Sequence, residues 1–239
     1  MPDLLVIVPS RGRPHTVQQM AEAFRDTCTA ETELLFVIDD DDPEREAYQL
    51  ARAAAEDAYG DVRLAEQQAP GTMVSALNRG AQSAAYGHEP PAALGFMGDD
   101  HRPRTKGWDK AYLEALRSLP GIVYGNDLIQ GERLPTQCAM STALVRHLGF
   151  MAPPELTHLY VDNYWLAIGR DAGCISYLPN VVVEHVHPVA GKAEWDEGYR
   201  RVNAPTMYAG DRQAYSEYMA AHRARDVLAV RKAAAEAGR

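Results

Sequence analysis

Short apolar runs alternate with amphipathic stretches through the first hundred residues. Leu4–Val8 predicts a buried strand that stops at the turn-forming cluster Pro9–Pro14, and His15–Cys28 follows with Val17, Met20, Ala21 and Phe24 at helical spacing. Glu33–Ile38 predicts a second strand ending in four consecutive aspartates, Asp39–Asp42. Pro43 suits the first position of the next helix, with Asp42 as its N-cap. Val62–Leu64 predicts a third strand, Thr72–Ala85 a helix and Ala92–Met97 a fourth strand. Strands separated by helices of this length indicate βαβ units around a mostly parallel sheet flanked by helices. Right-handed crossovers put the loops after the strands on one edge, where open α/β sheets bind ligands. The segments 9–14, 39–42 and 98–102 therefore converge on one crevice.

The second half is less regular. It predicts helices at Lys106–Leu119 and Ser141–Leu148, a short strand at Gly121–Tyr124, and two short strands at Cys174–Leu178 and Val181–His187. From about Ala204 the pattern is helical, giving an expected C-terminal helical extension over 204–239 behind a main domain over 1–203. The nucleotide side of that domain is expected in 1–103 and the acceptor side in 104–203. Residues His222–Arg239 carry five basic side chains (Arg223, Arg225, Arg231, Lys232, Arg239) against Asp226 and Glu236, a pattern that fits a solvated helix face better than a nucleic-acid arm.

Composition narrows the classes. The 239 residues are 46% hydrophobic and 24% charged, as in ordinary globular domains. A net charge of −9 disfavours general attraction to nucleic acid or anionic lipid. Three distant cysteines without a CxxC pair point to neither a disulfide framework nor a structural zinc site. The apolar run at the N-terminus is too short for a signal peptide or a membrane span, so a cytoplasmic protein is expected.

Four segments carry candidate chemistry. In Gly95–His101 an apolar strand delivers Asp99 and Asp100 side by side; paired carboxylates raise each other's pKa unless a cation sits with them, and a divalent ion would satisfy them. A solvated turn or helix cap accounts for that segment equally well. The run Asp39, Asp40, Asp41 suits ribose hydroxyls or a base N–H, against a plain acidic turn. His185 and His187 share one face of a strand, which suits a metal or a phosphate. Asp162 opens an aromatic helix, where burial would raise its pKa toward that of a base, or where it simply caps the helix. Arg11, Arg13, Arg102, Arg104 and Lys106 are expected near the crevice, since arginine forks suit a diphosphate. No phosphate loop, dinucleotide fingerprint or nucleophile elbow is present.

Together these segments resemble the GT-A nucleotide-sugar glycosyltransferases, family 2-like. Val6–Arg11 resembles the family's first strand and nucleotide-binding turn, Phe36–Asp41 its second strand, and Gly71–Gly80 its G-x-x-x-A-x-N-x-G helix. Phe96–Asp100 occupies the place of its D-x-D motif, with Gly98 at the first position, Asp99 in the middle and Asp100 on the second aspartate. The resemblance implies a GT-A fold and donor contacts from Pro9, Ser10, Arg11, Arg13, Asp39, Asp40, Asp41, Asn78, Arg79, Gly98 and Asp99. It further implies Mn²⁺ or Mg²⁺ on Asp100 with His185 or His187, and Asp162 as general base of an inverting transfer, although an acidic pair is usual where Val161–Asp162 stands. The donor would be a nucleoside-diphosphate sugar, a UDP-sugar by preference, and the acceptor a saccharide, a protein or modified DNA. Trp165, Tyr164, Trp195 and Tyr199 are candidates to stack on a ring. A sugar-1-phosphate nucleotidyltransferase, whose glycine-rich start is missing here, and a nucleotide-binding module without turnover, favoured by Gly98, are the alternatives.

Overall fold

A computed structural model describes residues 2–237. The chain runs β1 (Leu4–Pro9), α1 (His15–Thr27), β2 (Thr32–Asp39), α2 (Arg45–Tyr59), β3 (Val62–Gln67), α3 (Met73–Ala85), β4 (Ala93–Phe96), β5 (His101–Pro103) and α4 (Trp108–Ser118). It continues through β6 (Ile122–Asn126), β7 (Cys138–Ser141), α5 (Thr142–Leu148), α6 (Val161–Ala172), β8 (Ile175–His185), α7 (Glu197–Val202) and α8 (Pro205–Ala237). The eight strands form one sheet in the order β3-β2-β1-β4-β7-β6-β8-β5. Pairs β3/β2, β2/β1, β1/β4 and β6/β8 are parallel; β4/β7, β6/β7 and β5/β8 are antiparallel.

The continuous apolar runs of β1 and β2 follow from burial on both faces. Leu5, Ile7, Leu35 and Val37 join α3, α5, α6 and α8 in one core cluster; Leu4, Val6, Val8, Leu34, Phe36 and Ile38 join α1, α2 and α4 in the other. The sheet is thus a middle layer between two helical layers.

Several boundaries differ from expectation. Asp42 does not cap α2, which starts at Arg45 behind Glu44. Its carboxylate instead accepts the N–H groups of Gly12 (2.9 Å) and Glu44 (2.8 Å), tying the loops after β1 and β2 together. Strands β5 and β7 lie where loop was expected, because three or four residues are too few to display a period. The two short strands expected at 174–187 are one, β8, which pairs with β6 in its first part and with β5 in its last; the register of the β6/β8 pairing itself shifts between Gly125 and Asn126.

Helix α8 forms as expected and is built into the core: Tyr218, Val227, Val230 and Ala233 are buried against α5 and α6. Three of the basic residues of the tail are held in ion pairs and hydrogen bonds. Arg223 makes a two-pronged pair with Asp171, Arg225 meets buried Asp226 at 2.8 Å, and Arg231 donates to the Asp171 carbonyl. Arg239 lies outside the described residues. Among the described residues no helix is long and apolar enough to cross a membrane.

Candidate active site

The carboxyl ends of β1, β2 and β4 meet as the topology requires, and their loops are cross-linked. After β1, the Ser10 hydroxyl donates to Asp99 (2.6 Å) and contacts the Tyr48 hydroxyl at 2.7 Å, while the Arg13 N–H donates to the same phenol. Arg11 donates to Asp39 and Asp41, at 2.6 Å each. Asp39 also accepts from Gln67 at the end of β3, and Asp40 accepts the Ala69 N–H. A side chain at Gly71 would collide with Asp39 and Gln67, so only glycine lets the start of α3 lie this close to the acidic loop. All four aspartates are therefore fixed in place by Arg11, Gln67 and backbone donors rather than solvated as a loose turn.

The Gly98–His101 turn holds the second carboxylate pair. Asp99 is buried against Arg13 (3.0 Å). Burial favours the neutral form of both acids and keeps the Asp99 pKa raised against the pull of Arg13; at Asp100 the imidazoles of His101 and His185 outweigh burial and hold it well below the ordinary range. Arg13 is the hub. Beyond Asp99, its Nε and Nη2 grip Asp196 at 2.7 and 2.8 Å, and its guanidinium lies 3.9 Å over the Tyr199 ring. Asp196 caps α7 through the Tyr199 N–H, and the Tyr199 hydroxyl donates to Asp100 Oδ2 at 2.9 Å. One short strap, 196–199, thereby bridges both carboxylates.

Potential metal ligands converge beside it. Ligand atoms of Asp100, His185 and His187 all lie within 4.8 Å of one another, although His187 falls just past the end of β8. His185 Nε2 is 3.2 Å from Asp100 Oδ2, and Val189 N–H donates to His187 Nδ1. One carboxylate and two imidazoles, none of them committed to the hydrophobic core, form a donor set that fits a first-row divalent ion.

Asp162 sits in the first turn of α6, and burial pushes its pKa up to about 6, opposed by the Asn163 N–H and the charge of His185. The segment before it is pinned from α8: Asp211 accepts the N–H groups of Thr157, His158 and Leu159 and the Thr157 hydroxyl. This brackets His158, whose imidazole is driven neutral by burial, its pKa lowered to about 4, while Asp100, Arg13 and Arg201 act on it from the crevice.

Other expected contributors lie elsewhere. The Asn78 side chain hydrogen-bonds the backbone of Met151 and Ala152, bracketing α3 to that loop. Arg79 is exposed on the flank of α3, where a groove of about 640 Å³ is lined by Ser75, Gln82 and Phe150 among others and by none of the crevice carboxylates or imidazoles. Arg102 is buried and staples its own loop through the carbonyls of Asp99 and His101. Arg104 pairs with Glu184, and Lys106 is exposed. So of five expected cations only Arg11 and Arg13 line the crevice. Trp165 and Tyr164 are wholly buried core residues; Trp195 and Tyr199 flank His187. His101, His158 and Asp196 were not singled out as site residues. The first lies in a strand too short to read, and the other two act through contacts far apart in sequence.

No model of a known protein family and no curated protein sequence matches the chain. Solved structures do. The mannosyltransferase PcManGT from Pyrobaculum calidifontis, in complex with GDP-Man and Mn²⁺, superposes with a TM-score of 0.60 at 14% identity over 99% of this chain and 75% of that one. S. aureus TarS gives 0.59 at 13% identity, covering 92% of this chain and 43% of TarS, so the chain spans less than half of that protein. TarS 1–349 in complex with UDP-GlcNAc gives 0.57 at 15% identity, over 93% and 73%. The chain has the GT-A glycosyltransferase fold.

Proposed function

We propose that the protein is a metal-dependent glycosyltransferase acting on a nucleoside-diphosphate sugar. The observation that supports this reading is the convergence of Asp100, His185 and His187 within 4.8 Å, just past the carboxyl end of β4 and beside the Arg13–Asp99 pair. The known structures of this fold include complexes with GDP-Man and Mn²⁺ and with UDP-GlcNAc, which supports the same class of donor here.

Asp39, Asp40 and Asp41 would receive the base and ribose, beside Pro9, Ser10 and Arg11. Asp100, His185 and His187 would hold Mn²⁺ or Mg²⁺, which when bound supplies Lewis-acid stabilisation of the leaving diphosphate. Arg13 would take a phosphate in exchange for Asp196, and Asp100 would release the Tyr199 hydroxyl, so donor binding displaces the strap. Asp162, with its raised pKa, would accept the proton of the acceptor hydroxyl as that oxygen attacks the anomeric carbon, giving inversion. Gly98 and Asp99, the latter paired with Arg13, would shape this turn. Asn78 would act by holding α3 to the loop at Met151 and Ala152. A saccharide, a protein or modified DNA would serve as acceptor.

A thermal-shift panel of UDP, GDP, CDP, ADP and dTDP, each with Mn²⁺ and with chelator, tests the reading. A donor base at ~100 times its Kd stabilises by about 2.7 kcal/mol, and that shift should appear for one nucleotide only with metal. The absence of any shift would leave a GT-A module without donor binding. Release of a nucleoside diphosphate rather than pyrophosphate separates transfer from the nucleotidyltransferase alternative.

A further inference from the structure

Gly98 stands where the resemblance expects an aspartate, and the space beside it is already filled. A Cβ at that position would lie 2.7 Å from Asp100 Oδ1 and 3.1 Å from His101 Nδ1. His101 is 2% exposed and does not belong to the ligand cluster. Both of its nitrogens have partners. The Gly98 N–H, a fixed donor, gives its proton to Nδ1 at 3.1 Å. Nε2 faces Thr136 Oγ1 at 3.4 Å, and the Thr136 hydroxyl donates onward to Asp127 at 2.9 Å. Nδ1 also lies 3.3 Å from Asp100 Oδ1, so the ring is engaged at both of its nitrogens and touches the carboxylate directly.

The anchored ring lies flat on His185, with centroids 4.2 Å apart and planes 17° apart. The two residues are also register partners across β5 and β8, and the Asp127 carbonyl accepts the His185 N–H at 3.1 Å. Asp127 thus supports His101 through its side chain and His185 through its backbone. The carboxylate of Asp127 is itself fixed by the N–H groups of Ile129, Gln130 and Gly131. An imidazole ligand needs its ring plane set if its lone pair is to meet a metal, and here it stacks on a neighbour whose two nitrogens are both engaged.

We propose that His101 is a positioning residue of the metal site: its locked ring orients His185, and it fills the place that Gly98 leaves so that Asp100 keeps a single orientation. This rests on the metal reading given above. Groups that orient metal ligands in this way typically change metal affinity about 10–100-fold when removed.

The test is a Mn²⁺ titration of the full chain without nucleotide, followed by the loss of the free-ion electron paramagnetic resonance signal, with Tm measured alongside. His101→Ala should weaken Mn²⁺ binding about 10–100-fold. His101→Phe keeps a stacked ring and should fall closer to wild type than to alanine. Thr136→Val leaves the ring in place but frees it to turn, and should weaken binding by a smaller factor. A His101→Ala protein that binds Mn²⁺ within about twofold of wild type would overturn the proposal, as would a phenylalanine variant as weak as alanine. Should the alanine variant fail to fold, unchanged affinity in Thr136→Val has the same meaning. Wild-type protein that takes up no Mn²⁺ would overturn the metal reading itself, and is distinguishable because no variant then differs from it.

Discussion

The two sides of the crevice are built differently. On the nucleotide side, the loops after β1, β2 and β4 come from consecutive βαβ units, and each presents its chemistry where its own strand ends: Ser10 and Arg11, Asp39 to Asp41, Asp99 and Asp100. On the side proposed for metal and acceptor, the groups arrive by long return paths. His185 reaches Asp100 from the far end of β8, Tyr199 reaches it from α7, Asp196 reaches Arg13, and Asp162 is placed by a segment that Asp211 of α8 holds. A site side carried by adjacent strand ends tolerates change locally, because each loop is anchored by its own strand. A side assembled from distant elements couples chemistry to packing. This predicts that mutations on the second side alter stability and activity together.

The largest expected effect is at the base. Asp162→Asn should lower kcat about 10²–10⁴-fold and leave donor Kd within about twofold, measured by steady-state kinetics and calorimetry; unchanged turnover would remove Asp162 from the role. The same variant should be more stable at pH 7. A carboxyl whose folded pKa, about 6, lies above its unfolded value costs stability when ionised, so the penalty appears as pH rises through that window and vanishes in acid. A Tm gain at pH 7 that shrinks toward pH 4 would support this.

Next comes the cation. Asp100→Ala should abolish the Mn²⁺-dependent part of the nucleotide thermal shift while leaving any metal-free binding through Arg11 and the acidic loop. An equal Mn²⁺-dependent shift in the variant would remove Asp100 from the ligand set.

Asp211→Ala sharpens the comparison most directly, since it touches no part of the crevice. It removes the acceptor of four hydrogen bonds to Thr157, His158 and Leu159. Loss of a carboxylate that serves buried donors costs about 1–3 kcal/mol, readable in urea unfolding. It should lower kcat as well, because the approach to Asp162 loosens. Lost stability with unchanged kcat would show that the acceptor side is not coupled to packing.

The smaller effects concern the strap and pH. Tyr199→Phe removes one hydrogen bond to a charged acceptor, an interaction of about 1.5–3 kcal/mol, and should tighten Mn²⁺ binding because the hydroxyl no longer competes for Asp100; weaker binding would instead make Tyr199 part of the loaded site. The activity of wild type at saturating donor and metal should rise with pH through about 6, where Asp162 ionises, and a kcat profile flat across pH 5–7 would contradict it.

Much of the nucleotide side was legible before any coordinates, because its signals are local. An apolar run of β length, a turn cluster and an acidic end occupy a dozen residues, and parallel connectivity then forces the loops together. His185 and His187, which the alternation puts on one face, both lie beside Asp100, although β8 itself ends at His185. What failed locally failed for identifiable reasons. Asp42 has the chemistry of an N-cap, but the Gly12 N–H competes for it. Arg102 has the chemistry of a phosphate ligand, but carbonyls of its own loop claim it first. Trp165 and Tyr164 have the faces to stack on a sugar, yet α6 turns both into the core.

The sequence by itself determined the α/β class, the crevice at the strand ends, the acidic loops and the three metal-ligand candidates, since these depend on period, turn chemistry and residue type within short windows. Only the tertiary structure decided that α8 belongs to the core, that the 196–199 strap bridges Arg13 and Asp100, and that the His101 ring stacks on His185. Those outcomes rest on contacts between residues up to 183 positions apart, and which of several chemically able partners wins such a contact is set by packing, not by any pattern along the chain.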